Sequence, residues 1–186
     1  MDAAKAILDK EGWKAGSDGI RTKEGKRLSL LLWSKSDSDE RKIAEMIQAE
    51  LANLGVEIKI EQFDPSSIRA EFKKGKHDLV VRSYDWDNAD ILEWFFNSTR
   101  PGYPTVSMWH DNESDYLMQK AMTRSKTSEE RIANFKEYHE YLLSQYIWAP
   151  IINSVNNHAI NESVTMPSVP QFKILIGAPI MDMEVN

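Results

Sequence analysis

Four carboxylates, Asp85, Asp87, Asp90 and Glu93, fall in one short run, with Tyr84, Trp86, Trp94, Phe95, Phe96, Tyr103 and Trp109 crowded around them. Paired carboxylates can perform glycoside hydrolysis when their separation suits the mechanism. Aromatic walls with a few placed carboxylates also suit a cleft for peptides, sugars or amines. A plainer role is open too, because acids in a first helical turn complement the helix dipole. A helix needs only one apolar face, and Trp94-Phe95-Phe96 supplies more aromatic surface than that. Tyr84, Asp85, Trp86, Asp87, Asp90 and Trp109 are therefore the candidate ligand-binding residues.

Other chemistry finds less support. Asp18-Gly19-Ile20 resembles the centre of a calcium loop, but the upstream ligand positions hold Lys14 and Gly16, and the twelfth holds Gly25. A turn is the expected outcome there. His139-Glu140 begins a zinc-protease pattern, yet Leu143 stands where the second histidine should be. His110 with Asp111 and Glu113 reads as a solvated loop, and no metal site or cofactor is expected. There is no glycine-rich phosphate loop and no nucleophile elbow.

Composition narrows the class further. The 186 residues are 41% hydrophobic and 28% charged, the balance of a folded domain. The net charge of -6 carries no basic footprint for nucleic acid. Lys73, Lys74 and Lys76 are the densest basic cluster and read as a solvated helix end. The absence of cysteine excludes disulfides, thiolate catalysis and Cys-ligated zinc. No apolar run reaches the length of a membrane span, and the first residues do not form a secretory signal.

The elements that must position the acidic run follow from periodicity. Residues 3–11 predict a helix with Ala4, Ile7 and Leu8 on one face, and residues 13–26 a loop or tight hairpin. Leu28 to Trp33 predicts a buried strand. Asp37 and Glu40 resemble a capping box for a helix carrying Ile43, Ile47, Leu51 and Leu54, stopped by Gly55. Val56, Ile58 and Ile60 alternate as a half-buried strand. Asp64-Pro65 caps a short helix with Ile68 and Phe72 inward, and His77 to Tyr84 predicts a third strand. Strand, helix, strand, helix, strand argues for an α/β fold with a mainly parallel sheet flanked by helices. In such sheets ligands bind beyond the carboxyl ends of the strands, which is where Tyr84 to Asp90 falls. Helices are then expected over 89–97, over 114–124, and from the Thr127/Glu130 capping box onward with Ile132, Phe135, Tyr138 and Leu142 inward. Ile147 to Ser154 predicts a strand that Pro150 pushes toward an edge.

Several of these pieces, taken in order, resemble the family 5 extracellular solute-binding proteins, which include oligopeptide, dipeptide and nickel binders of ABC importers. They are AILDKEGW from Ala6, DGIRTKEGK from Asp18, Leu28 to Trp33, and Gln48-Ala49-Glu50-Leu51 with Leu54-Gly55-Val56. Phe72-Lys73-Lys74-Gly75 before Asp78-Leu79, and the Thr127 to Gln145 helix leading into Ala149-Pro150-Ile151, are similar as well. The resemblance implies the C-terminal lobe of a type II periplasmic-binding-protein-like fold over residues 1–160. It also implies an irregular tail, 161–186, that returns toward a missing N-terminal lobe. In peptide-binding members a W-x-x-D run follows the corresponding strand, and Tyr84-Asp85-Trp86-Asp87 stands at that place here. The resemblance thus gives Asp87 the role of pairing with a ligand amine and Tyr84 the role of a wall. Asp90 matches a second family aspartate, with Ile91 where proline often follows.

What the resemblance implies for function is capture of a small ligand, foremost an oligopeptide, between two lobes, and delivery to ABC transporter permease subunits. The location would be extracytoplasmic, periplasmic or lipid-anchored, with the signal absent from this sequence. Alternatives are a sugar or metal-complex binder of the same family, a carbohydrate-active enzyme using Asp85, Asp87 and Asp90, and a docking module. No enzymatic activity and no nucleic-acid partner are expected.

Overall fold

The computed structural model describes residues 1–36, 39–84, 88–100, 105–153, 161–165 and 184–185. Helix α1, Asp2–Lys10, ends where Gly12 turns into positive φ and the Trp13 amide reaches back to the Leu8 carbonyl. Ala4 and Leu8 of α1 pack on the core, whereas Ile7 is exposed, correcting the expected three-residue face. The loop or tight hairpin predicted over 13–26 takes the hairpin form, a small antiparallel sheet of β1 (Lys14–Ala15), β2 (Arg21–Lys23) and β3 (Lys26–Arg27). Glu24 and Gly25, both at positive φ, join Lys23 to its partner Lys26. Two such residues give the hairpin a turn whose twist matches the strands.

The predicted parallel sheet is present. Its central strand β4 (Ser29–Lys35) lies between β5 (Glu57–Phe63) and β6 (Leu79–Val80), parallel to both. Helix α2 (Asp39–Ala52) covers one face, with Ile43, Ile47 and Leu51 packed on the cluster of Leu32, Val56 and Ile58. Helix α3 (Ser67–Phe72) adds a second cluster, in which Ile68 and Phe72 enclose Trp33. Asp64 leads into α3 as expected, its Oδ1 accepting the amides of Ser66 and Ser67. The Ser66 and Ser67 hydroxyls also donate to the Asp64 carboxylate, and these bonds hold its pKa well below the usual range.

Helices α4 (Ile91–Phe96), α5 (Asn112–Thr123) and α6 (Ser128–Ser144) form the helix-rich half. Their core joins Leu92, Phe96, Leu117, Met118, Ala121, Phe135, Tyr138 and Leu142. Burial pushes the Tyr138 hydroxyl up to about 12, although it lies 3.4 Å from the Ser114 hydroxyl. The α6 capping box forms with a variation. The Glu130 amide donates to Thr127 Oγ1, while the Glu130 carboxylate accepts from the Lys126 amide, one residue before the cap.

Three further expectations are corrected. Ile132 is 70% exposed rather than inward, because Phe135, Tyr138 and Leu142 fill the buried stripe of α6. Residues 147–153 form no strand; Trp148 instead packs against Phe96 and His139. Pro150 has no amide to give a ladder. The third strand is shorter than His77 to Tyr84, since the chain leaves the ladder after the Val81 amide bonds to the Trp33 carbonyl. Within the stretch expected to be irregular, β7 (Val164–Thr165) pairs antiparallel with β8 (Glu184–Val185).

Candidate functional site

The chain leaving β6 emerges at the carboxyl ends of the parallel strands, and its first residues are held tightly. Glu40, in the first turn of α2, is 2% exposed. Its Oε1 accepts from the Ser83 amide at 3.0 Å and from the Ser83 hydroxyl at 2.9 Å. Lys35 Nζ, at the end of β4, stands 3.1 Å from the same oxygen, and Arg82 Nη1 lies 3.9 Å from Oε2. Glu40, expected as part of a capping box, thus also grips another segment from a buried position. Its partner in that expectation, Asp37, lies outside the described residues.

Arg82 also orders the first aromatic of the candidate site. Its guanidinium lies over the Phe72 ring at 5.6 Å and the Tyr84 ring at 5.1 Å, and its Nε donates to the Tyr84 hydroxyl oxygen at 3.2 Å. Such stacking aligns a planar cation and a ring face. On its other side Tyr84 meets Phe95 of α4, with centroids 4.3 Å apart. This contact brings the strand exit and α4 together, as the aromatic crowding in the sequence suggested.

Asp85, Trp86, Asp87 and Tyr103 lie outside the described residues. Asp90 is half-buried and committed to Arg131 of α6, with 2.5 Å between Oδ1 and Nη2. Arg131 Nη1 simultaneously donates to the carbonyls of Ala121 and Met122 at the end of α5, and its guanidinium covers the Phe135 ring at 4.8 Å. The pair lines an open depression of about 460 Å³ with Asn88, Ala89, Ile132 and Phe135. Asp90 therefore ties the loop before α4 to the α5–α6 unit. Asp90→Asn is expected to lower stability by about 0.5–1 kcal/mol, the scale of a partly exposed pair, read as a lower urea midpoint at unchanged slope.

Trp109 is half-buried and packs against the Leu92, Phe96 and Phe135 cluster. It stands on the helical half, while Tyr84 stands at the end of the sheet. Trp94 is 43% exposed, with the Arg100 guanidinium 5.5 Å from its ring centre. Sequence reasoning missed Glu40, Lys35 and Arg82. The only available signal was an acid in the first turn of a helix that follows a strand, and that pattern reads as a cap.

The remaining chemical motifs settle into structural roles. Asp18 accepts the Ile20 amide and pairs with Arg27, whose hydrogen bond lowers the Asp18 pKa. Asp111 caps α5 through the Ser114 amide and accepts the Tyr141 hydroxyl, a bond that raises the Tyr141 pKa to about 12. His77 packs between Trp33 and Phe72. Among the described residues, no three His, Asp or Glu side chains converge to hold a metal. No helix among them is long and apolar enough to cross a membrane.

Residues 1–103 match the family model described as bacterial extracellular solute-binding proteins, family 5, middle. The chain is 26% identical over 170 residues to di/tripeptide-binding protein 2 of Pseudomonas aeruginosa, covering 88% of this chain and 30% of that one. It superposes on the oligopeptide-binding protein AppA of Bacillus subtilis, solved with a nonapeptide, with a TM-score of 0.65 at 23% identity. That match covers 77% of this chain and 30% of AppA. A mannohexaose-bound periplasmic oligopeptide-binding protein of Thermotoga maritima gives 0.69 at 19% identity, covering 80% and 30%. The chain thus spans about 30% of the length of these relatives. The fold shared with these structures is the α/β type II periplasmic-binding-protein kind, as expected.

Proposed function

The chain belongs to the bacterial extracellular solute-binding proteins, family 5, and from that premise we propose that it is a ligand-binding lobe of an ABC-importer solute receptor. Its ligand is a short peptide, taken up in a cleft between this lobe, residues 1–160, and a second one N-terminal to it. The protein works outside the cytoplasm, periplasmic or lipid-anchored, hands its ligand to membrane permease subunits, and acts by binding without turnover. One observation carries this reading. The chain leaves the carboxyl end of the parallel sheet toward Tyr84, whose ring is framed by Arg82 and Phe95. A crevice at that end of an α/β sheet is where such folds take ligands.

Within the site, Asp87 pairs with the peptide's ammonium group and Tyr84 forms a wall. Asp85, Trp86 and Trp109 line the approach. Asp90 belongs to the same run but acts by bracing it, because its carboxylate is already paired with Arg131. A desolvated ammonium requires a fixed carboxylate, since an unpaired charge in a closed cleft is costly. Closure follows from the ligand touching both lobes, so this chain alone binds weakly. Exposed Tyr146, Ile151 and Ile152, beyond α6, are apolar surface suited to contact with the second lobe.

The test is calorimetry on the complete protein with trialanine and N-acetyl-trialanine. Asp87→Ala is expected to weaken trialanine by about tenfold or more and to leave the acetylated peptide little changed. Equal losses for both peptides would reject the amine-pairing role. Absence of heat with either peptide, but heat with a mannan oligosaccharide, would move the ligand class to sugars.

A further inference from the structure

Beyond Val81 the chain has left the sheet, and side chains rather than a ladder determine its path. Two devices act within two residues. Arg82 is stacked between Phe72 and Tyr84, and the Ser83 amide and hydroxyl both donate to one oxygen of Glu40. Glu40 itself is 2% exposed, and its helix is fixed to the sheet by Ala44, Ile43 and Ile47. A backbone amide bonded to a carboxylate on so rigid a base has little freedom to move.

We infer that Glu40 is a positioning residue, a buried carboxylate tether that fixes where the Tyr84-to-Asp90 run starts and which way the Tyr84 ring faces. The Ser83 amide is oriented by Glu40, Tyr84 follows directly, and its ring is then caught between Arg82 and Phe95. Lys35, 3.1 Å from the same carboxylate oxygen, sets a cation against the buried tether. The geometric part stands without any ligand. Its importance for binding rests on the solute-receptor reading.

Amide hydrogen exchange on the 186-residue chain, without ligand, tests the tether. Glu40→Ala should speed exchange at Ser83 and Tyr84 by about tenfold or more beyond that of the parent in urea sufficient to match its global stability. Exchange in α5 and α6 should follow global stability alone. Glu40→Gln keeps an acceptor for the Ser83 amide and should stay within about threefold of the parent at these two residues. If Glu40→Ala does not fold, Glu40→Asp, whose carboxylate falls one methylene short, takes its place under the same criterion. The inference is overturned if Ser83 and Tyr84 open no more than in the stability-matched parent, or if glutamine opens them as much as alanine. Because no ligand enters the measurement, failure of the complete protein to bind trialanine would remove the proposed function and leave this result intact.

Discussion

Trp33→Ala is expected to destabilise the chain by about 3–5 kcal/mol, the range for removing a large buried aromatic. Trp33 is 1% exposed and lies on the central strand β4, so its loss empties the middle of the sheet rather than an edge. Its ring packs on Phe63 at 5.0 Å, Phe72 at 5.8 Å and His77 at 4.8 Å, tying β5, α3 and the approach to β6 to one side chain. The indole also donates to Glu61 at 2.9 Å. Domains are stable by only about 5–15 kcal/mol, so a loss of this size is a large share of the total. The check is a urea transition followed by circular dichroism. Trp33→Phe, which keeps a ring but not the indole donor, should recover more than half of the loss. A loss below about 1 kcal/mol for alanine would mean that this cluster lies outside the cooperative unit.

Gly55→Ala is expected to cost about 2–4 kcal/mol, combining roughly 1–2 for a left-handed non-glycine residue with an overpacking cost of similar size. Gly55 has φ of +77° at the end of α2, and an added Cβ would sit 2.8 Å from the Gly19 carbonyl oxygen and 2.9 Å from Arg21 Cγ. Neither neighbour can retreat easily. Arg21 is 7% exposed, its amide donates to the Gly55 carbonyl, and its guanidinium bonds the Leu54 carbonyl, the Trp13 carbonyl and Asp9. Gly19 and Gly25 provide the comparison, since both have positive φ yet a Cβ there would meet nothing within 4 Å. Alanine at either should cost only the conformational part, about 1–2 kcal/mol. Equal losses at all three positions, measured as urea midpoints, would mean that the contact with Arg21 contributes nothing.

Arg21 marks one limit of sequence reading. In the sequence it is one basic residue in a glycine-rich stretch, and nothing local predicts that it is buried. Its partners, Asp9, Trp13 and Leu54, come from α1, the turn after it and the end of α2. Glu40 marks the same limit at the candidate site. Its position after a strand matched a cap, but its bond to Ser83 spans 43 residues of sequence. Asp90 is a third case. A match to a family aspartate suggested a ligand contact, whereas its partner Arg131 lies on a distant helix whose face no local pattern assigns to it.

Features that depend on near neighbours could be read directly from the residues. These include the Thr127/Glu130 cap, the stop at Gly55, the alternation of β5 and the strand–helix order that yields a parallel sheet. Each follows from backbone conformation or from a period of two or 3.6 residues, and both act over a few residues. That Tyr84 follows the third parallel strand was legible for the same reason. The contacts of Ser83, Tyr84 and Asp90 depend instead on packing between elements far apart in the chain. Glu40 grips Ser83, Arg82 and Phe95 frame Tyr84, and Arg131 takes Asp90, because a buried carboxylate or guanidinium settles on whatever partners the packed elements bring within reach.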